Sequence, residues 1–530
     1  MAGLLDHLII LPILLPLAAS AVMLLFDERR YALKRAIGLG TALALLVIAL
    51  TLLYGAIGAP TARVYLLGNW PAPFGITLVV DRLSATMLLL ASILGFAALL
   101  FASARWDRAG PRFHALFLLQ LMGLNGAFLT GDLFNLFVFF EVLLAASYGL
   151  LLHGAGRERV SAGLHYVSIN IAASLLFLIG ASLIYSVTGT LNIADLATRI
   201  PAIPAGDLML LQSGVGILGI AFFIKAGMWP LGFWLPSTYS AATPPTAALF
   251  AILSKVGIYA VLRVLLLMPE DGSGSPPHFG DEWLQIGGMA TIAFGTIGML
   301  SSRSLSRLAG FSLIISSGTL LATIGSGGPV LAGALFYLVS STLGVSAFYL
   351  LIELVGRDEG GAMAAIPADA VFDDEYAGIL EVTEDQEVGV VIPATLAIVG
   401  GGFMFCTLLL AGLPPLSGFI AKFAIVEGLL GPDAGAMTWG LIALIIVSGL
   451  ATIISTSRAG IDLIWTPERP LRDLRVAEAA PIGLLLVLCL CLMIFAGPIM
   501  RYMEQTARAL DARHEYVGAA MTPPPGGEPR

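Results

Sequence analysis

The chain has 530 residues, 58% of them hydrophobic and only 12% charged, against about 25% charged for a soluble globular protein. Its 27 basic and 35 acidic side chains cannot cover the water-facing surface of several soluble domains, so most of its solvent is lipid. A formal net charge of −8 offers no basic stripe for a phosphate backbone, which excludes nucleic-acid binding.

A membrane-crossing helix needs about 20 apolar residues. Fourteen segments meet that template: 8–26, 36–57, 82–104, 114–130, 133–153, 162–187, 209–229, 240–268, 283–300, 305–325, 330–355, 390–412 running on to 430, 437–457 and 480–499. The first follows Asp6 and His7 without Lys or Arg; lacking the basic start of a signal peptide, it is expected to be a retained span. Alternate connections carry the positive charge: Arg29, Arg30, Lys34 and Arg35, then Arg105, Arg108 and Arg112, then Arg157 and Arg159, then Arg303 and Arg307. These are expected on the cytoplasmic side of a bacterial inner membrane, with both termini outside. The connection 356–389 falls on the same side yet is acidic, with Asp373, Asp374 and Glu375; it reads as a solvated linker or a docking loop.

The expected fold is therefore an all-α polytopic membrane protein. Its parts are the N-terminal helices 1–113, a five-helix stretch 114–268, a second one 283–457, a last loop and helix 458–500, and a tail 501–530. That tail, ending Pro-Pro-Pro-Gly-Gly-Glu-Pro-Arg, is expected to be disordered. Two segments are interrupted, at Ala226-Gly227-Met228-Trp229-Pro230-Leu231 and at Ala411-Gly412-Leu413-Pro414-Pro415-Leu416. They share the pattern A-G-x-x-P-L at an offset of 185 residues, each in the fourth helix of its five-helix stretch. An odd number of spans per repeat inverts the second copy, and paired broken helices in an inverted repeat point to a transport site.

The ionisable residues at membrane depth carry the chemistry. Only four lysines occur beside 23 arginines, and three of them, Lys225, Lys255 and Lys422, lie inside apolar segments. Arg stays protonated, whereas a desolvated Lys releases its proton, so this usage points to proton handling. Glu141 lies near the middle of 133–153, where a lone charge costs roughly 2.5–3.5 kcal/mol on insertion scales. It needs a partner or water, and Lys225, just before the first break, is the natural partner; a structural salt bridge and a snorkelling lysine are the bland alternatives. Lys255, beside Ser254, has no carboxylate in its own helix and reads as a relay group or a buried structural cation. Lys422 follows the second break and serves the second half in the same way, while Glu427 reads as an interfacial charge. His165, Tyr166 and Asn170 form a polar stripe that either wets a proton path or packs as a satisfied core cluster.

Three further features have structural readings. Asp81-Arg82 is expected to form a local or inter-helix pair at the interface. Gly214-Val215-Gly216-Ile217-Leu218-Gly219 spells G-x-G-x-x-G inside an apolar helix and marks close helix packing, not a nucleotide site. Cys406, Cys489 and Cys491 lie in apolar runs without metal-type spacing and read as packing residues; no cofactor ligands or metal site are expected.

Taken together, Gly131-Asp132-Leu133-Phe134-Asn135 with Glu141, the Lys225-Ala226-Gly227 break with Pro230 and Trp234-Leu235-Pro236, Pro244-Pro245 with Ser254-Lys255, and Pro414-Pro415 with Gly418-Phe419 and Lys422 resemble the proton-antiporter-like membrane subunits. That superfamily takes in Mrp-type multisubunit cation/proton antiporters, the antiporter-like subunits of respiratory complex I and membrane-bound hydrogenases. The similarity runs over about residues 75–460, and length and wording are most similar to the D subunits of Mrp/Pha antiporters. The resemblance implies that Glu141 and Lys225 form a modulating ion pair, that Lys255 is the central relay, and that Lys422 lies on the exit side. Helices 305–325 and 330–355 often supply histidines in the family; here the matching places are Ser316 and Ser340, which hold water but do not titrate. The sequence stops soon after the fourteenth segment, so no long lateral helix is expected. The function implied is exchange of Na⁺ or another monovalent cation for protons within a complex of several membrane subunits. The alternatives are a proton-pumping subunit of a redox complex and a non-conducting scaffold subunit.

Overall fold

Apolar runs without charge close their backbone hydrogen bonds internally because lipid offers none, and the chain accordingly folds almost entirely as helices. The computed structural model describes residues 7–59, 61–70, 75–154, 156–265, 281–355, 394–431, 434–464 and 475–521. The first helices are α1 (Leu11–Leu24), α2 (Tyr31–Gly58), α3 (Arg82–Ala102), α4 (Phe113–Leu129), α5 (Leu133–Leu151), α6 (Arg157–Thr188), short α7 (Ile193–Arg199) and α8 (Leu208–Ala226). Next come α9 (Trp234–Ala241), α10 (Pro244–Phe250), α11 (Leu253–Leu265), α12 (Asp281–Ser301), α13 (Leu305–Ser326) and α14 (Val330–Val355). The last are α15 (Ala394–Ala411), α16 (Ser417–Leu429), α17 (Ala436–Ile464), α18 (Val476–Ile494), α19 (Ala496–Asp511) and α20 (Arg513–Met521). Among the described residues 11 helices are long and apolar enough to cross a membrane, and three shorter apolar helices coincide with α1, α4 and α15. The chain is a multi-pass membrane protein. The acidic segment 356–389 lies outside the described residues.

Both predicted interruptions are present and have the same local geometry. At the first, Gly227 takes φ +76°, which a side chain would strain, and the amides of Gly227 and Met228 donate to Ile224 O and Phe223 O. At the second, Gly412 takes φ +78°, and the amides of Gly412 and Leu413 donate to Leu409 O and Leu408 O. The bonds Trp229-Pro230 and Pro414-Pro415 are both cis. A third interruption carries no Gly or Pro: segment 240–268 divides into α10 and α11 at Ala251-Ile252, directly before Lys255. Here the Ser346 hydroxyl of α14 donates to Ala248 O at 2.7 Å, a side chain inserted against the helical ladder.

The connections sort onto two faces. On one, Arg35 pairs with Asp107, Arg159 donates to Ala241 O at 2.9 Å, Arg458 donates to Ser302 O at 2.6 Å, and Arg105 pairs with Glu353. On the other lie a hairpin of β1 (Arg63–Leu66) and β2 (Thr77–Val80), antiparallel with Arg63 opposite Val80, and the α5 and α7 N-termini. The sequence reading had only a loop at this hairpin, whose two four-residue strands are too short to show a period. His7 and the C-terminal helices share this second face: His7 meets Tyr65, and Arg82 meets Gln505.

The tail 501–530 departs from expectation. Residues 501–511 continue α19 and 513–521 form α20, with Met503, Thr506, Ala507 and Leu510 buried along one side. Arg501, Glu504, Arg508 and Asp511 are spaced among apolar residues, so they leave one stripe to pack while the charges face outward. Residues 522–530 lie outside the described residues. Large side chains such as Tyr54 (82% exposed) and Ile446 (63%) project from the outer helices, while the lysines point inward.

Candidate functional site

Glu141 rides on α5, whose N-terminus is capped by Asp132 accepting from the Asn135 amide at 2.8 Å. The Gly-Asp…Asn wording before it therefore anchors the helix that positions the carboxylate. Glu141 is half-buried and accepts a short hydrogen bond from Ser174 of α6. Lys225, on the last turn of α8, is buried, and its ammonium has no hydrogen-bond partner among the described residues. It lies 4.8 Å from the centroid of the Phe140 ring, a cation–π contact. Glu141 and Lys225 are neighbours in charge but not in contact: no ion pair joins them. The rings of Phe140, Phe177 and Phe222 pack together beneath the pair, with centroids 5.5 to 6.4 Å apart. α6 and α8 approach closely because Gly180 faces Gly214: a β-carbon on Gly180 would sit 2.7 Å from Leu218 N. The G-x-G-x-x-G run thus does serve packing at its first glycine.

The centre of the molecule holds Lys255, which is fully buried. Its ammonium donates to Ser316 Oγ of α13 at 2.8 Å, and Ser316 in turn shares a 2.9 Å hydrogen bond with Ser341 of α14. Ser340, the next residue, bonds Ser417 at the start of α16 at 2.8 Å. A small cavity lined by Ser316, Ser340, Ser341, Tyr337, Gly418 and Thr452 joins the two serine pairs. Beyond it, Lys422 donates to the carbonyls of Ala411 at 2.9 Å and Leu410 at 3.4 Å, the last turn of α15. The break frees those carbonyls, and the negative end of the helix receives the ammonium. From Lys255 toward Lys422 the structure thus supplies two serine pairs beside a small cavity that Ile315, Val345, Leu409 and Leu410 also line, and Lys422 itself meets backbone carbonyls.

The first-half stripe divides. Tyr166 is buried and bonds Ser147 at 2.9 Å between the rings of Tyr148 and Trp234, and Asn170 is buried with its amide on Tyr166 O. His165 instead faces outward and bonds Ser161 O of its own helix; on a 3.6-residue period it falls on the opposite side from Asn170. Ser254 is buried, and its hydroxyl has no partner among the described residues. Glu427 is exposed at the end of α16. Asp81 does form an inter-helix pair, with Arg263 at 2.5 Å, while Arg82 turns to Gln505. Arg263 was missed by the sequence reasoning although it lies two helical turns from Lys255 in an apolar run. It is buried between the rings of Tyr259 and Tyr516, and Tyr259 donates to Phe128 O at 2.6 Å. Cys406 and Cys489 are buried and unpaired, in keeping with packing.

This arrangement can be set beside known proteins. Residues 130–455, more than half of the chain, match the family described as NADH:quinone oxidoreductase/Mrp antiporter, TM. The chain belongs to that family. A probable K(+)/H(+) antiporter D subunit from Rhizobium meliloti is 53% identical to this family member over 99% of both chains. The Na(+)/H(+) antiporter D subunit of Alkalihalophilus pseudofirmus is 33% identical over 95% of this chain and 97% of that one. Among solved structures, a chain of the Mrp complex from a Dietzia strain superposes with a TM-score of 0.82 at 26% identity, covering 98% of this chain and 100% of its own. The family's matched region contains Glu141, Lys225, Lys255, Lys422 and the serine row.

Proposed function

We propose that this chain is the proton-conducting membrane subunit of a multisubunit monovalent cation/proton antiporter in a bacterial inner membrane. The similar proteins named as D subunits of K⁺/H⁺ and Na⁺/H⁺ antiporters support this assignment. The observation that carries it is the row of buried proton-carrying groups: Lys255 on Ser316, the serine-lined cavity, and Lys422 on the freed carbonyls of α15. On this reading Glu141 and Lys225 gate one end, Lys255 relays at the centre, and Lys422 hands the proton on. The same reading has fourteen spans, two inverted five-helix repeats 114–268 and 283–457, and both termini on the outer side. The matching geometry of the two breaks and the clustering of arginine loops on one face support that topology.

The partners are the other membrane subunits of the complex, and the cargo is H⁺ with K⁺ or Na⁺. Everted vesicles carrying the complete complex test this: adding K⁺ or Na⁺ collapses an imposed pH gradient. Lys255→Ala and Lys225→Ala are each expected to abolish the collapse at unchanged complex levels. Full exchange in both variants would refute the assigned roles. Because the family name also covers NADH:quinone oxidoreductase, a redox-pump assembly is the second reading. Flavin- or iron–sulfur-bearing subunits in the purified complex would establish it instead.

A further inference from the structure

Two groups of opposite charge at membrane depth attract strongly in a low dielectric, so a buried carboxylate and ammonium left apart need something that holds them apart. Glu141 and Lys225 are such a pair, and each is engaged by a different neighbour. The carboxylate is turned onto α6, where the Ser174 hydroxyl donates to it. The ammonium is turned onto the face of Phe140, the residue before Glu141 on α5. Ser174 is buried beside Phe177, whose ring packs on Phe140 and Phe222. α6 also packs on both α5 and α8, so hydroxyl and aromatic wall stand on elements fixed relative to both charges. The Gly180–Gly214 approach fixes α6 against α8. Neither Ser174 nor Phe140 titrates, and neither belongs to the Glu and Lys set assigned above.

We propose that Ser174 and Phe140 are positioning residues that hold the Glu141–Lys225 pair open, one by binding the carboxylate and the other by binding the ammonium. This inference rests on the proton-conduction reading of the preceding subsection. In the open state Lys225 has no counter-ion in contact. If either contact is lost, the charges close onto each other, and a lysine held by a carboxylate surrenders its proton only at higher pH. The device works by competition between two weak partners and one strong one, so small changes at α6 decide the state of the pair.

The test is the pH profile of cation-driven exchange in everted vesicles bearing the complete complex, with complex abundance measured on native gels. Ser174→Ala is expected to move the midpoint of the profile upward by about one pH unit, a tenfold change in proton concentration. Ser174→Thr, which keeps the hydroxyl, is expected to leave it in place. Phe140→Leu keeps apolar bulk, removes the ring face and is expected to shift the midpoint in the same direction; it decides the matter if Ser174→Ala does not assemble. A wild-type midpoint in an assembled Ser174→Ala or Phe140→Leu complex would overturn the proposal. If Lys225→Ala abolishes exchange while those midpoints stay fixed, the positioning role alone fails. Full exchange in Lys225→Ala would instead remove the reading beneath it.

Discussion

Replacing Ser316 by alanine tests the central hydroxyl row at its most exposed joint. Ser316 Oγ is the sole hydrogen-bond acceptor that the described residues give the Lys255 ammonium, at 2.8 Å and with no solvent access to the lysine. A hydrogen bond to a charged group is worth about 1.5–3 kcal/mol, and a buried donor left unmade costs on that order. The small cavity beside Ser316 can admit a water to replace part of the lost bond, which places the expectation at the lower end, about 1.5–2 kcal/mol. At about 1.4 kcal/mol per tenfold, a loss of that size is a ten- to thirtyfold change in an equilibrium or a rate. Exchange by everted vesicles at neutral pH is expected to fall by roughly that factor. Ser316→Thr retains the acceptor and is expected to keep most activity, whereas Ser341→Ala, one bond further from the charge, is expected to cost less. Wild-type exchange in Ser316→Ala, at equal abundance of assembled complex, would refute the idea that Lys255 depends on this hydroxyl.

Three other outcomes follow from the packing and the charges. Asp81→Ala strands the buried Arg263 guanidinium, and breaking a buried pair in this way costs about 3–5 kcal/mol; the protein is expected to vanish from membranes by immunoblot, and normal abundance would show that Tyr259 and Tyr516 suffice. Gly180→Leu drives a side chain into the α8 backbone and is expected to lower the melting temperature of the purified complex by several degrees, whereas Gly216→Leu on α8, where nothing lies within 4 Å of the added β-carbon, meets no neighbour there; equal melting temperatures would contradict the close approach. At Asp107, burial pushes the carboxyl up, but hydrogen bonds from Arg35 and His114 outweigh it and hold the group below the usual carboxylate range. A depressed carboxyl stabilises above its unfolded value, about 3.9, and loses that contribution as pH falls through its lowered value. Asp107→Asn is therefore expected to be less stable than the natural protein at pH 7 and to approach it below about pH 4, as read by protease resistance of the purified complex; a difference that persists at low pH would contradict the sign.

Much of this fold was legible because lipid forces a simple rule on sequence. Among the described residues the apolar runs are helical, some of them divided into two helices, and the A-G-x-x-P-L breaks were readable since glycine and proline announce where a helical ladder must end. The interruption ahead of Lys255 was not readable, because it comes from Ser346 of a distant helix reaching Ala248 O. Ser316 was named only as a place where the family often has a histidine, and its bond to Lys255 depends on how α11 and α13 pack, which spacing alone does not carry. His165 and Tyr166 are adjacent in sequence yet point to different sides of α6, so a polar stripe read without its phase mixed an outward histidine with an inward tyrosine. The expected Glu141–Lys225 ion pair was chemically reasonable; a serine and a phenylalanine on neighbouring helices, both unremarkable as letters, take up the two charges instead.

The serine row has a directional property that its lysines set. A lysine ammonium has hydrogens to give and no lone pair to offer, so while Lys255 is charged Ser316 must accept from it, whereas the hydrogen between Ser316 and Ser341 can belong to either hydroxyl. A neutral amine offers a lone pair, and the same hydroxyls are then free to rotate and point the other way. Each proton that hops along such hydroxyls leaves every O–H bond reversed behind it, and the row cannot pass a second one in the same sense until its rotors turn back. On the proton-conduction reading, the charge on Lys255 therefore fixes the direction of the first bond of the row, from the ammonium to Ser316, and frees it when the proton has left.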